Sequence, residues 1–333
     1  MRSLRMQLLA TIVKRKMMMT DAFDRDRIIQ WLLEGDVSIQ YQSTRDLLDE
    51  TDREMQNRIA EEGWGAAFLN LRNENRHWGR GFYQPKWIST HYTLLDLKNL
   101  NISPDQPEIR ETLNTVLREN KSMDGGMNPC VTIRNSDVCV SGMVLNVAAY
   151  FGMDDDALKS IVDFLFSQWM KDGGFNCHSN HVGAVHSSLH TTISVAEGIH
   201  EYLKNGYAYR AAELRKAENG CREFMLLHRL YKSDRTGDVI DKRMAMFSYP
   251  CRWRYDILRA LDYFQTAHVD YDSRMDDAIS ILLKKRRVDG TWPVQAKHPG
   301  RTHFDMEKSG EPSRWNTLRA LRVLRIYKPE RRF

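Results

Sequence analysis

Apolar positions recur along this chain at helical spacing, and the strict alternation that marks a strand is almost absent. Ile28, Ile29, Leu32 and Leu33 make one stripe, Ile161, Phe164, Leu165 and Trp169 a second, and Ile279, Leu282 and Leu283 a third. Glycine turns separate the stripes: Glu34-Gly35-Asp36, Trp78-Gly79-Arg80-Gly81-Phe82, Asp124-Gly125-Gly126-Met127, Asp172-Gly173-Gly174-Phe175, Thr236-Gly237-Asp238 and Asp289-Gly290-Thr291-Trp292. Each follows one amphipathic segment and precedes another, so the predicted unit is helix, glycine turn, helix.

The second helices of these units superimpose without gaps. Their first turns read Tyr41-Gln42-Ser43, His91-Tyr92-Thr93, Cys139-Val140-Ser141, His190-Thr191-Thr192, Tyr255-Asp256-Ile257 and Trp315-Asn316-Thr317, recurring roughly every fifty to sixty residues. The last two units agree most closely, Arg254-Tyr255-Asp256-Ile257-Leu258-Arg259-Ala260-Leu261 matching Arg314-Trp315-Asn316-Thr317-Leu318-Arg319-Ala320-Leu321. Six helical hairpins either stack as an open solenoid or close into a ring. An open stack needs polar capping units at its ends, and neither end has one: Tyr41 and Trp315 carry the aromatic type that Tyr255 carries inside the array. The pattern therefore predicts an all-α fold, a single closed ring of six inner and six outer helices running from about Arg25 to Tyr327. Residues 1–24 are then an N-terminal extension without stable order, and 25–333 form one domain. The first eighteen residues are basic and Met-rich, and no small-residue cleavage site follows their apolar run, so an extension ahead of a start at Met19 is favoured over a targeting segment.

Composition narrows the function. A net charge of +5 spread over 333 residues is too weak to point to nucleic acid or an anionic membrane. No apolar run approaches the roughly 20 residues of a membrane span. Five cysteines, an odd number without framework spacing, fit a reducing, cytoplasmic setting. The Asp-x-Asp-Asp acid motif of squalene-type cyclases is absent, as are phosphate-binding loops, Gly-x-Ser-x-Gly elbows and His-Glu-x-x-His helices.

Candidate chemistry gathers at the starts of the inner helices, which the ring brings to one mouth. Neighbouring repeats offer Cys139 and His190 there, and Asp137, as the N-cap of the Cys139 helix, can turn its carboxylate toward the thiolate. Asp137, Cys139 and His190 then make a three-ligand set for Zn2+ with a fourth position open, the arrangement of a catalytic rather than a structural zinc. The plainer alternatives are a small buried Cys, an ordinary Asp cap and a His bonded to a carbonyl. His186, four residues before His190, stands as a second-layer group, an anion contact or an alternative ligand. Trp253, Tyr255 and Trp315 are candidates either for an aromatic wall of the cavity or for core packing.

The Asp-Gly-x-Trp/Phe turns at Asp172 to Phe175 and Asp289 to Trp292 resemble the repeat of terpenoid cyclases and protein prenyltransferase β subunits, over nearly all of the chain after Met19. The resemblance implies an α/α toroid. It also implies a zinc site, because Asp137-Val138-Cys139 and His190-Thr191 look like the ligand segments of the prenyltransferase β subunits, with Arg134 where that family places a basic contact to diphosphate. The expected function is a zinc-dependent, prenyltransferase-like enzyme acting on an isoprenoid or similar apolar substrate. The alternatives are a metal-free toroid that binds or cyclises a terpenoid, and a non-catalytic scaffold for a protein partner.

Overall fold

The computed structural model describes residues 25–130, 134–295 and 297–331; the predicted extension, 1–24, lies outside them. Helix α1 occupies residues 25–33, followed by α2 (Val37–Leu47), α3 (Arg53–Arg58), α4 (Gly63–Leu69), α5 (Thr90–Asn99), α6 (Pro107–Glu119), α7 (Val138–Tyr150) and α8 (Asp155–Ser167). Then come α9 (Ser179–Val182), α10 (Leu189–Lys204), α11 (Ala211–Leu227), α12 (Ile257–Thr266), α13 (Asp276–Lys284) and α14 (Arg314–Tyr327). Trp292–Pro293 and Pro312–Ser313 form a short antiparallel pair ahead of α14. No helix among the described residues is long and apolar enough to cross a membrane.

The protein is an α/α toroid, as the periodicity predicts. The inner helices are α2, α5, α7, α10, α12 and α14, and their neighbours touch in turn. Helices α5, α7 and α10 pack consecutively, as do α12, α14 and α2. Gln42 Nε2 bonds Asn99 O at 3.0 Å between α2 and α5, and the Arg259–Glu197 pair at 2.7 Å joins α12 to α10. The sixth inner helix thus lies against the first, tied by Arg322 to Asp46 at 2.9 Å and Arg325 to Asp49 at 2.5 Å. Helices α7 and α10 make the tightest contact because both are small where they meet: a Cβ on Gly198 would stand 2.2 Å from Gly142 O.

The register of the repeat has a hydrogen-bonding cause. Two residues beyond the predicted first position, a hydroxyl of the inner helix accepts the amide of the residue that closes the glycine turn. Ser141 takes Met127 N at 2.9 Å, Thr192 takes Phe175 N at 3.0 Å and Thr317 takes Trp292 N at 3.0 Å. These amides would otherwise be buried without a partner, so the small hydroxyl side chains at this step hold turn and helix together.

Two details depart from the sequence reading. His91, Cys139, His190 and Trp315 each sit one residue inside their helices, but α2 begins four residues before Tyr41 and α12 begins after Tyr255. Caps set these boundaries: Asp36 accepts Ser38 N at 2.9 Å and Asp256 accepts Arg259 N at 2.8 Å. The outer element of the second repeat is also split into α3 and α4. Asp36 reaches across to accept Trp64 N at 2.8 Å at the start of α4, and Gly63 (φ +64°) leaves the room, since a Cβ there would lie 2.2 Å from the carboxylate.

Candidate metal centre and central cavity

Asp137 caps α7, its Oδ1 accepting Val140 N at 3.1 Å, as its place before the helix suggests. Cys139, on the first turn, is buried. Beside them lies Cys177, on the segment that returns from the Asp172–Phe175 turn. Its Sγ accepts Cys139 N at 3.2 Å and donates to Asp137 Oδ1 at 3.2 Å, while the Thr191 hydroxyl donates to the sulfur at 3.3 Å. The ligating atoms of Asp137, Cys139 and Cys177 all lie within 4.8 Å of one another, and neither cysteine is in a disulfide. The Cys139 thiol is pushed well above its ordinary pKa by its hydrogen bond with Cys177, by burial and by the Asp137 carboxylate.

His190, the third expected ligand, is not part of this group. Its Nδ1 accepts Tyr255 N at 2.8 Å, its ring packs edge-on to Trp253 at 5.3 Å, and burial together with Arg259 and Arg254 lowers its pKa to about 4. The ring therefore fixes the approach to α12, and a thiol from the loop before α10 stands next to Cys139 instead. Arg134 and His186 are both exposed and outside the group, the carbonyl of His186 accepting Asn176 Nδ2 at 2.7 Å. Cys177 was visible in sequence only as one of several Cys and His residues before α10. What selects it is the bend of the turn, held by Phe175 N on Thr192 and Cys177 N on Thr191 Oγ1 at 3.2 Å.

The surroundings are aromatic. Lys86 Nζ lies 5.0 Å from the Trp87 ring and 5.2 Å from that of Trp253. Burial lowers the Lys86 pKa, against the upward pull of the Asp137 carboxylate. His91, fully buried, has its pKa pushed down to about 3 by burial, against the pull of Asp137, and its Nε2 has no hydrogen-bond partner among the described residues.

The opposite half of the ring is different in kind. A cavity of about 670 Å3 is lined by side chains from all six inner helices, among them Asp46, Lys98, Asn146, Glu201, Asp262 and Arg322. These residues occupy the C-terminal halves of their helices. Asn146 lies two turns beyond Cys139 on α7, about 10 Å along the axis. Arg322 joins Asp46 at 2.9 Å and Asp262 at 3.1 Å, Arg319 joins Asp262 at 3.2 Å, and Lys98 joins Glu201 at 3.0 Å. Such a wall is not the apolar one expected for an isoprenoid: charged groups face the space, and desolvating them against a hydrocarbon chain would be costly. Of the three aromatic candidates, Trp315 lines the cavity, stacked on Tyr249 at 4.9 Å, while Trp253 and Tyr255 do not line it.

No family model and no curated protein matches the chain. Among solved structures it resembles a glycosyl hydrolase family 88 protein from Bacteroides vulgatus, at 12% identity over 86% of this chain and 88% of that one, with a TM-score of 0.49. The fold expectation stands; the functional one is overturned. The expected Asp–Cys–His triad is not assembled, and the cavity is polar.

Proposed function

We propose that this protein is a zinc-binding toroid whose metal is held by Asp137, Cys139 and Cys177 at the mouth formed by the N-terminal ends of the inner helices. The observation that carries the reading is the convergence of two free thiols and a carboxylate, from separate repeats, within 4.8 Å. Two sulfurs and one oxygen suit zinc better than magnesium or calcium, which take oxygen ligands. A buried thiol with a raised pKa loses its proton to a metal far more readily than to water, so binding releases protons and adds to folding stability. Thr191 and the Cys139 amide orient the Cys177 sulfur, as the outer partners of metal ligands do. When bound, the ion supplies Lewis acidity at its remaining coordination position.

Zinc analysis of the purified protein tests this. One equivalent is expected in the wild type, little in Cys139→Ser and Cys177→Ser, and an undiminished content in His190→Ala. A wild-type protein that carries no zinc and is not stabilised by added zinc chloride refutes the proposal. Loss in His190→Ala with retention in Cys177→Ser would do the same for this ligand set.

A further inference from the structure

Cys139 and Cys177 differ from ordinary buried cysteines in what surrounds the sulfur. A structural thiol serves as a small apolar filler, as Cys221 does on α11, where it is fully buried in the hydrophobic core. The Cys177 sulfur is instead half-buried and meets three polar groups: the Cys139 amide at 3.2 Å, the Thr191 hydroxyl at 3.3 Å and the Asp137 carboxylate at 3.2 Å. Cys139, from a different repeat, is only 8% exposed, and its sulfur lies within 4.8 Å of the Cys177 sulfur. Both are free thiols. A reagent from solution therefore meets Cys177 first, with a second thiol waiting behind it.

We propose that Cys139 and Cys177 are a reversible dithiol–disulfide pair, oxidised by small disulfides of the glutathione type, and that closing the bridge expels the metal. The second half of this statement rests on the zinc reading above; the first does not. In the first step the Cys177 sulfur attacks one sulfur of oxidised glutathione, giving a mixed disulfide and one glutathione thiol, which takes up the Cys177 proton. The Cys139 sulfur then attacks the Cys177 sulfur, and the second glutathione leaves with the Cys139 proton. Two protein thiols are oxidised and one glutathione disulfide is reduced, with no proton left over. A disulfide bond is about 2.0 Å long. The Cys177 sulfur already rests on the Cys139 backbone, so the remaining approach is one of side-chain rotation rather than of helix movement. A metal needs both sulfurs as thiolates, and bridged sulfurs have no charge to give. Asp137 would be left as one ligand of three.

The test treats metal-free protein with oxidised glutathione, followed by thiol titration in denaturant and peptide mass spectrometry. The thiol count is expected to fall from five to three, with a peptide linking Cys139 to Cys177 and recovery in dithiothreitol. Cys139→Ser should stop at a mixed disulfide of Cys177 with glutathione, and Cys177→Ser should leave Cys139 unmodified. The wild-type peptide map decides the matter should either variant fail to fold. In zinc-loaded protein the same treatment should release one equivalent of metal to a chromogenic chelator. Absence of the bridge in metal-free protein, or a bridge from either residue to another cysteine, overturns the inference and leaves the zinc reading standing. A bridge in a protein that never binds zinc refutes the zinc reading and upholds the dithiol pair. A bridge formed while zinc is retained overturns the claim that the two states exclude each other.

Discussion

Two glutamates at opposite ends of the ring have been driven in opposite directions. Glu307 accepts Trp315 N at 3.1 Å near the start of α14, and burial raises its pKa to about 7. Glu201 sits in the last turn of α10; burial would raise its pKa too, but Lys98 and Lys204 bring it down to about 2. The helix dipole argues for the reverse in each case, since a helix start favours a carboxylate and a helix end disfavours one. Its effect, about 0.3–1 kcal/mol, is outweighed at both ends. Desolvation decides at the aromatic, thiol-bearing mouth, and direct ion pairing decides in the charged cavity. The dipole does fit the wider distribution: Arg45, Lys98, Lys204 and Arg325 lie in the last turns of inner helices, whereas Asp36, Asp137 and Asp256 cap their starts.

The contrast is most severely tested in the layer between the two regions, where Arg252 pairs with Asp96. Both are nearly fully buried, and the guanidinium lies 5.7 Å from the Trp87 ring on one side while lining the cavity on the other. Asp96→Ala strands that cation, and denaturant unfolding is expected to show a loss of about 3–5 kcal/mol.

The glutamates come next, with opposite pH windows. Glu307 holds its proton in the folded state from about pH 4.5 to about 7, so its contribution to stability declines as pH rises through that interval. Glu201 is ionised when folded down to about pH 2, so its contribution is present above about pH 4.5 and lost as pH falls below it. Each effect is limited to about 3 kcal/mol. Unfolding measured against pH should show Glu307→Gln flattening only the neutral-side decline and Glu201→Gln flattening only the acid-side decline. If both variants altered the same window, the distinction between the two ends would be wrong.

The smallest effect belongs to the bonds that close the glycine turns. Thr317→Val deprives Trp292 N of its acceptor and should lower stability by about 1–3 kcal/mol in denaturant unfolding. An unchanged stability would mean that the turn amide finds another acceptor.

Much of the architecture could be read from the chain because it is written in local, repeated signals. Helical stripes, glycine turns and the hydroxyls at Ser141, Thr192 and Thr317 recur at matching steps, and each acts over a short span of sequence. Asp137 was recognisable as a cap for the same reason. The partnership of Cys139 was not, because Cys177 reaches it only through the bend of a neighbouring repeat, whereas His190, in better sequence register, is taken up by the Tyr255 amide. The cavity left one trace: Arg259 and Arg319 occupy matching places in two inner helices, and both line the cavity.

The amino-acid sequence by itself determined that this protein is a ring of helical hairpins and which helix ends meet at each mouth, because periodicity and capping are short-range. Only the tertiary structure decided which side chains share a space. Whether a thiol finds a second thiol or an imidazole, and whether a carboxylate meets a lysine or a dry wall, depends on distances between residues tens to hundreds of positions apart. Those distances are set by packing, such as the Gly142–Gly198 approach, and no local pattern encodes them.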